Sequence, residues 1–246
     1  MNTLLKFSPG TGNAKLKSLG GKVYTFSLPS GWTCPSAKDC HSKAVKGTDG
    51  KYHLVDGKHT QFRCFSATQE IVYKAVREQR QFNFDLLRAN RQPAEMAHLL
   101  KVSIPQDATI IRVHVGGDFF NEDYMFAWFV AARCHPDKTF YAYTKSLDYW
   151  VKLKEEIPPN FKLNASKGGR HDNMIDAYKL KYAEVVFTED EAHQKGLEID
   201  HDDSHAFLQD NSFALLLHGV QPKGSRAAEA LKQLNGKGSY GKTKRT

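Results

Sequence analysis

The side chains best suited to chemistry are one carboxylate and three thiols. Asp118 follows an apolar run and a pair of glycines in "RVHVGGDFF" (112–120). Gly116 and Gly117 let the backbone approach a ligand closely, and their amides can point at an anion or an amino-acid moiety. An acid directly behind them can accept a hydrogen bond from an amine or a base edge, or attack as a nucleophile. The plainer alternative is a tight turn whose acid caps the next helix. Asn121 weakens that alternative. Followed by Glu122 and Asp123, it already supplies an N-cap and an acidic first turn for a helix over 121–134.

Cys34, Cys40 and Cys64, in "TCPSAKDCHSKA" and "FRCFSATQE", fall after the first predicted strand. Cys134 stands alone in an apolar helix and reads as core. The N-terminal stretch "MNTLLKFSPGTGNAK" lacks the apolar centre of a signal peptide, which places the chain in a cytoplasm. There, four cysteines are thiols or metal ligands sooner than a disulfide framework. Three thiolates gathered by one loop suit zinc if His41, His53 or His59 completes a tetrahedron. They equally suit three irons of a 4Fe–4S cluster, with the fourth iron free for a ligand. Unliganded thiols remain the alternative.

These groups need a frame. Strand-like runs occur at 22–28, 109–115, 138–144, 161–166, 183–188 and 213–219, each short and rich in β-branched and aromatic residues. Helix-like stretches at 67–91, 121–134 and 169–180 lie between them. Such alternation predicts an α/β fold with parallel strands and crossover helices, a TIM-like or partial (β/α) barrel forming a single domain over 1–235. In barrels of that class the chemistry sits on loops after the strands' C-terminal ends, and Asp118 follows a strand in this way. The last segment, 236–246, has almost nothing to bury and reads as a flexible basic tail.

The net charge of +8 on 246 residues favours a polyanionic partner such as a nucleic acid, although many basic proteins bind none. No window approaches the roughly eighteen apolar residues of a membrane span. If 67–91 is one helix, Lys74, Arg77, Arg80, Arg88 and Arg91 fall within a stripe of roughly 120°, with Phe84 inside it and the apolar residues opposite. Such a stripe is a phosphate-tracking surface with an aromatic that can stack on a base, or else a solvated charged face.

The run from His114 to Ser146, with its aspartate, paired phenylalanines, Trp-containing helix and "FYAYTKS", resembles the phage family named for the gene 88 product of mycobacteriophages. The "TCPSAKDC…RCFSA" cysteines and the late "FALLLHG" are similar to that family's pattern. Two enzyme superfamilies show through it. "VGGDFF" resembles the Asp-Ser-Gly-Gly-Phe segment of guanine transglycosylases, including phage enzymes that place 7-deazaguanines in DNA, although Val115 replaces the leading aspartate. That resemblance implies a zinc-bearing barrel in which Asp118 attacks the sugar of a flipped nucleotide. Gly116, Gly117, Phe119, Lys145 and Asn164 would then surround the base, and Asp172, Asp176 or Glu189 would serve as second acid. "GGD" is also similar to the Gly-Gly-Glu turn of radical S-adenosylmethionine enzymes, which holds the cofactor's amino group, with Cys34, Cys40 and Cys64 as cluster ligands. That superfamily spaces its cysteines by three and two residues, whereas here residues 41–63 separate Cys40 from Cys64. The expectation is a DNA base-modifying enzyme, base exchange first and radical chemistry second. A third reading is a DNA-binding protein without catalysis.

Overall fold

All six predicted strands form, and they share one sheet. The computed structural model of the protein describes residues 4–12 and 14–234, so the tail expected at 236–246 lies outside the described residues. In chain order the strands are β1 (Ser8–Pro9), β2 (Val23–Phe26), β3 (Ser42–Lys46), β4 (Tyr52–Asp56), β5 (Ile110–Val113), β6 (Thr139–Thr144), β7 (Phe161–Ser166), β8 (Tyr182–Val186), β9 (Glu198–Ile199) and β10 (Phe213–Leu216). The helices are α1 (Ala14–Lys17), α2 (Phe65–Val72), α3 (Lys74–Ala89), α4 (Pro93–Ser103), α5 (Glu122–Arg133), α6 (Leu147–Lys152), α7 (Asn173–Ala177), α8 (Glu189–Gln194), α9 (His205–Leu208) and α10 (Arg226–Gln233). None of the described helices is long and apolar enough to cross a membrane.

Eight strands pair in the order β1-β2-β5-β6-β7-β8-β10-β9. Only β1 runs antiparallel to its neighbour. β3 and β4 form a separate antiparallel hairpin. The fold is therefore a mixed α/β domain on a mostly parallel sheet. A closed TIM-like barrel does not form, because β1 and β9 are edges that do not meet. Both edge strands are only two residues long, and β1 ends on Pro9, which has no N–H to offer a ladder.

Alternation along each strand assigns residues to two faces. Ile111, Val113, Phe140, Ala142, Leu163 and Ala165 enter the main core with Met125, Trp128 and Phe129 of α5 and Leu100 of α4. Full burial of such a large apolar side chain stabilises by roughly 1.5–3 kcal/mol. Arg112, Tyr143, Val185 and Leu215 take intervening positions and line a cavity on the opposite face.

The helices depart from expectation in particular ways. The stretch 67–91 is broken at Tyr73, which is extended (φ −111°, ψ 102°) and separates α2 from α3. Arg77 donates to the Glu70 carbonyl that the end of α2 leaves open, so the break is held by a side chain one turn further on. Pro93 does not merely stop α3. It opens α4, where proline's missing N–H costs nothing. The stretch 169–180 yields only α7, because Asp172 draws in the amides of Gly168 and Gly169 at 2.8 Å each and makes a loop. α5 forms as read, with Asn121 accepting from the Tyr124 amide at 2.8 Å. Cys134 lies at its exposed C-terminal end and not in the core.

Candidate active site

A cavity of about 710 Å³ lies over the C-terminal ends of the parallel strands. Each of the six longer strands contributes to it. Ser27 and Gly31 follow β2, residues 114–118 follow β5, and Lys145 follows β6. Ser166 ends β7, Val185 belongs to β8, and Leu217 and His218 follow β10.

Cys34, Cys40 and Cys64 all line this one cavity. The long stretch between Cys40 and Cys64 is taken up by the β3–β4 hairpin, which pairs Ser42 with Asp56 at its base. Gly57 N then donates to His41 O at 2.6 Å, and Gln61 N and Phe62 N donate to Asp39 O at 2.7 and 3.1 Å. The chain leaves the cavity at Cys40 and returns to it at Cys64. Cys34 is fixed from within its own turn, where Gly31 N donates to its Sγ at 3.3 Å. A single buried carboxylate ties that turn to the helices. Glu70 Oε1 accepts from Ser30 N and Ser30 Oγ at 2.9 Å each, and from Arg80 Nη1 at 2.8 Å.

Burial pushes all three thiols above the usual cysteine range, Cys34 well above it and Cys64 to about 11. For Cys40 the nearby Lys145 ammonium partly offsets the effect of burial. At neutral pH these are protonated thiols and weak nucleophiles, and a metal must displace their protons to bind. No three His, Cys, Asp or Glu side chains among the described residues are grouped to hold a metal ion. His41, His53 and His59 do not line the cavity. His41 Nε2 lies 3.2 Å from Gly31 O, and His53 pairs with Asp49 at 3.0 Å on the hairpin. The tetrahedron expected from one of them is not assembled.

Asp118 is buried at the cavity wall. Its Oδ1 accepts from Phe119 N at 2.7 Å and Thr144 Oγ1 at 2.6 Å, and its Oδ2 accepts from Lys145 N at 2.8 Å. Burial raises its pKa to about 6 against the pull of those hydrogen bonds. Lys145 also lines the cavity, its Nζ donating to Ser166 O, Ser166 Oγ and Lys167 O at 2.7, 2.9 and 2.8 Å. The two glycines are required by close approach. A Cβ on Gly116 would lie 2.2 Å from Ser66 Oγ, and one on Gly117 (φ +83°) would lie 2.5 Å from Thr33 Oγ1.

Other expected site residues lie elsewhere. Phe119 packs in the core, its ring centroid 4.7 Å from that of His114, and does not reach the cavity. Asn164 is also buried and away from the cavity, donating to Ala142 O at 3.3 Å and Ala206 O at 2.9 Å. Asp172 closes its own loop, while Asp176 and Glu189 are exposed and outside the cavity. The acid that does line it is Asp203, whose Oδ2 accepts from Arg112 Nη1 at 2.5 Å and Tyr141 OH at 2.9 Å. Among the many acids of "EIDHDDSH" nothing in the sequence marks Asp203.

The basic stripe does not survive as one surface. Arg80 is 5% exposed and donates to Glu70, Ser66 O and Gln69, because its face of α3 turns toward α2. Arg77 lies 3.8 Å over the Tyr52 ring. Lys74 pairs with Glu78 at 3.6 Å, Arg88 sits 5.4 Å over the partly buried Phe84, and Arg91 is exposed. No curated protein and no solved structure matches the chain. The family model for gene product 88 matches residues 3–235, and the chain belongs to the gene product 88 family.

Proposed function

We propose that the protein is a radical S-adenosylmethionine-type iron–sulfur enzyme acting on a nucleic acid, and that its open sheet is a partial (β/α) barrel. One observation carries the reading: the three cysteines and the Gly-Gly-Asp turn of the second parallel strand line a single cavity over the strand ends. The strand order supports it. β2, β5, β6, β7, β8 and β10 neighbour one another in chain order, which is the winding of a barrel, whereas a doubly wound sheet reverses direction at a switch point. The hairpin supports it as well, since it accounts for the unusual cysteine spacing.

Cys34, Cys40 and Cys64 would hold a 4Fe–4S cluster. Each thiolate then serves its own iron, so the three must face one cavity without converging on one point. Buried thiols that stay protonated without metal suit ligands whose charge only a cation can offset. When bound, the cluster supplies the electron for reductive cleavage of the S-adenosylmethionine sulfonium. The chain's part is to bind and orient. Gly116 and Gly117 carry no side chain into the cavity wall. Asp118, short of solvation, gains from the ammonium group of an amino-acid moiety, which gives it the countercharge that burial denies it. Val76, Val185, Leu215 and Leu217 form an apolar wall that excludes water. The charge of +8 supports a polyanionic substrate, with DNA the expected one.

Base exchange to a 7-deazaguanine draws less support. Asp203, the other acid of the cavity, is already held by Arg112 and Tyr141. A zinc site would need a fourth ligand, and none of His41, His53 and His59 lines the cavity, while a protein that only binds DNA leaves three thiols in one cavity without a role. The test is anaerobic incubation of iron-loaded protein with dithionite and S-adenosylmethionine, followed by chromatography for 5′-deoxyadenosine. Production that depends on Cys64 is the expected result. Iron-loaded protein that leaves the cofactor intact overturns the reading, and 7-deazaguanine incorporation without S-adenosylmethionine replaces it with base exchange.

A further inference from the structure

A second groove, of about 650 Å³, adjoins the cavity across the 29–34 loop and α2. Gly31 lines the cavity and Trp32 lines the groove, so one loop serves both. Trp32 is 54% exposed, yet its Nε1 donates to Ala44 O at 3.2 Å. Gly31 (φ +71°) sets the ring close on β3, where a Cβ would lie 2.4 Å from Ser42 O. An indole held at its edge and open over much of its surface is an ordered platform for another flat ring. Cations are already stacked on this groove's aromatics, with Lys43 Nζ 4.4 Å from the Trp32 ring and the Arg77 guanidinium 3.8 Å over Tyr52.

The charge of the groove is one-sided. Lys46, Lys51, Lys74 and Arg77 line it. Of its two acids, Glu70 is buried and engaged by Ser30 and Arg80, and Glu78 lies 3.6 Å from Lys74. Aromatic platforms interleaved with cations match unpaired bases and their phosphates, since every unpaired base offers a π-face and a duplex offers only edges and phosphates.

We infer that this groove binds single-stranded DNA, with a base stacked on Trp32 and phosphates on Lys46 and Lys51. The inference rests on the nucleic-acid half of the function proposed above and needs no iron. A strand held there passes beside the loop that carries Cys34.

The full chain, without metal, is titrated with unlabelled oligo-dT while tryptophan emission is followed. Trp128 and Trp150 are 0% and 9% exposed, so Trp32 is the exposed reporter. Binding quenches emission in the native protein, and Trp32→Phe removes that quenching while keeping most of the affinity, read from the anisotropy of an end-labelled oligo-dT in a parallel titration. Trp32→Ala weakens binding about tenfold, in keeping with the loss of one stacked base. The double variant Lys46→Ala/Lys51→Ala lowers the salt slope by about 1.4, or about 0.7 for each single-strand contact. Absence of binding, native affinity in folded Trp32→Ala, or equal affinity for duplex overturns the inference. Tighter binding of oligo-U overturns the assignment to DNA. Lost DNA binding alongside intact S-adenosylmethionine cleavage removes the groove and spares the cluster, and the converse removes the cluster alone.

Discussion

Replacing Arg80 by Met leaves Glu70, which is 1% exposed, as a buried carboxylate without its countercharge. Breaking such a pair from one side costs about 3–5 kcal/mol. Two features of the site move the value within that range. Arg80 also donates to Ser66 O and Gln69 Oε1 at 2.9 Å each, so its loss strands further acceptors. Ser30 N and Ser30 Oγ still donate to Glu70 Oε1, which softens the loss. A loss of about 4 kcal/mol follows. Adding Glu70→Gln removes the stranded charge and should recover about half of it. Urea unfolding at pH 7 reads both numbers as shifts in midpoint at constant slope. The same preparations, tested for single-stranded DNA binding, should keep the native salt dependence, because a buried guanidinium contacts no phosphate. A stability loss below about 1 kcal/mol, together with a salt slope reduced by about 0.7, would refute the reasoning and return Arg80 to a phosphate-binding surface.

Gly117→Ala combines a left-handed backbone with contacts of 2.5 Å to Thr33 Oγ1 and 2.7 Å to Leu28 Cβ. It should lower stability by about 3 kcal/mol in thermal or urea unfolding, and a neutral substitution would show that the loop gives way freely. His114 is held neutral by burial, which lowers its pKa from 6.5 to about 3. As pH falls below 6.5 the unfolded chain takes up a proton that the folded one refuses, so stability drops through that window. His114→Asn, tolerated at φ +66°, should remove about 2 kcal/mol of the loss between pH 7 and pH 5, and an unchanged loss would contradict the burial of a neutral ring. Asp118→Asn keeps the size of the side chain and gives up the charge. It should raise the KM for S-adenosylmethionine about tenfold or more with folding retained, and an unaltered KM would detach Asp118 from the cofactor's ammonium group.

The strands were legible because runs such as Ile110–Val113 and Thr139–Thr144 are short, rich in β-branched and aromatic residues, and bounded by turn residues. The break at Tyr73 was not legible, since no glycine or proline marks it and the contact that holds it comes from Arg77, a turn away. The β3–β4 hairpin is hard to read in the sequence because lysines and histidines blur its alternation, although Asp49-Gly50 is a hairpin turn signal. At the site, residue type alone pointed to Gly116, Gly117, Asp118 and the three cysteines, and folding brings them together. A helical wheel gives a direction without saying what lies there. It placed Arg80 in a stripe, and Glu70 draws that arginine inward. Phe119 and Asn164 follow from a motif resemblance, which does not say on which face a side chain finishes.

Iron and sulfide analysis of the full chain, purified or reconstituted without oxygen, tests the central claim most directly. The account predicts about four irons and four sulfides per chain. It also predicts an electron paramagnetic resonance signal after reduction that changes when S-adenosylmethionine is added. The triple variant Cys34→Ser, Cys40→Ser, Cys64→Ser should retain none of this iron. Folded protein that takes up one zinc and no iron, binds no metal, or keeps its iron in the triple variant contradicts the account.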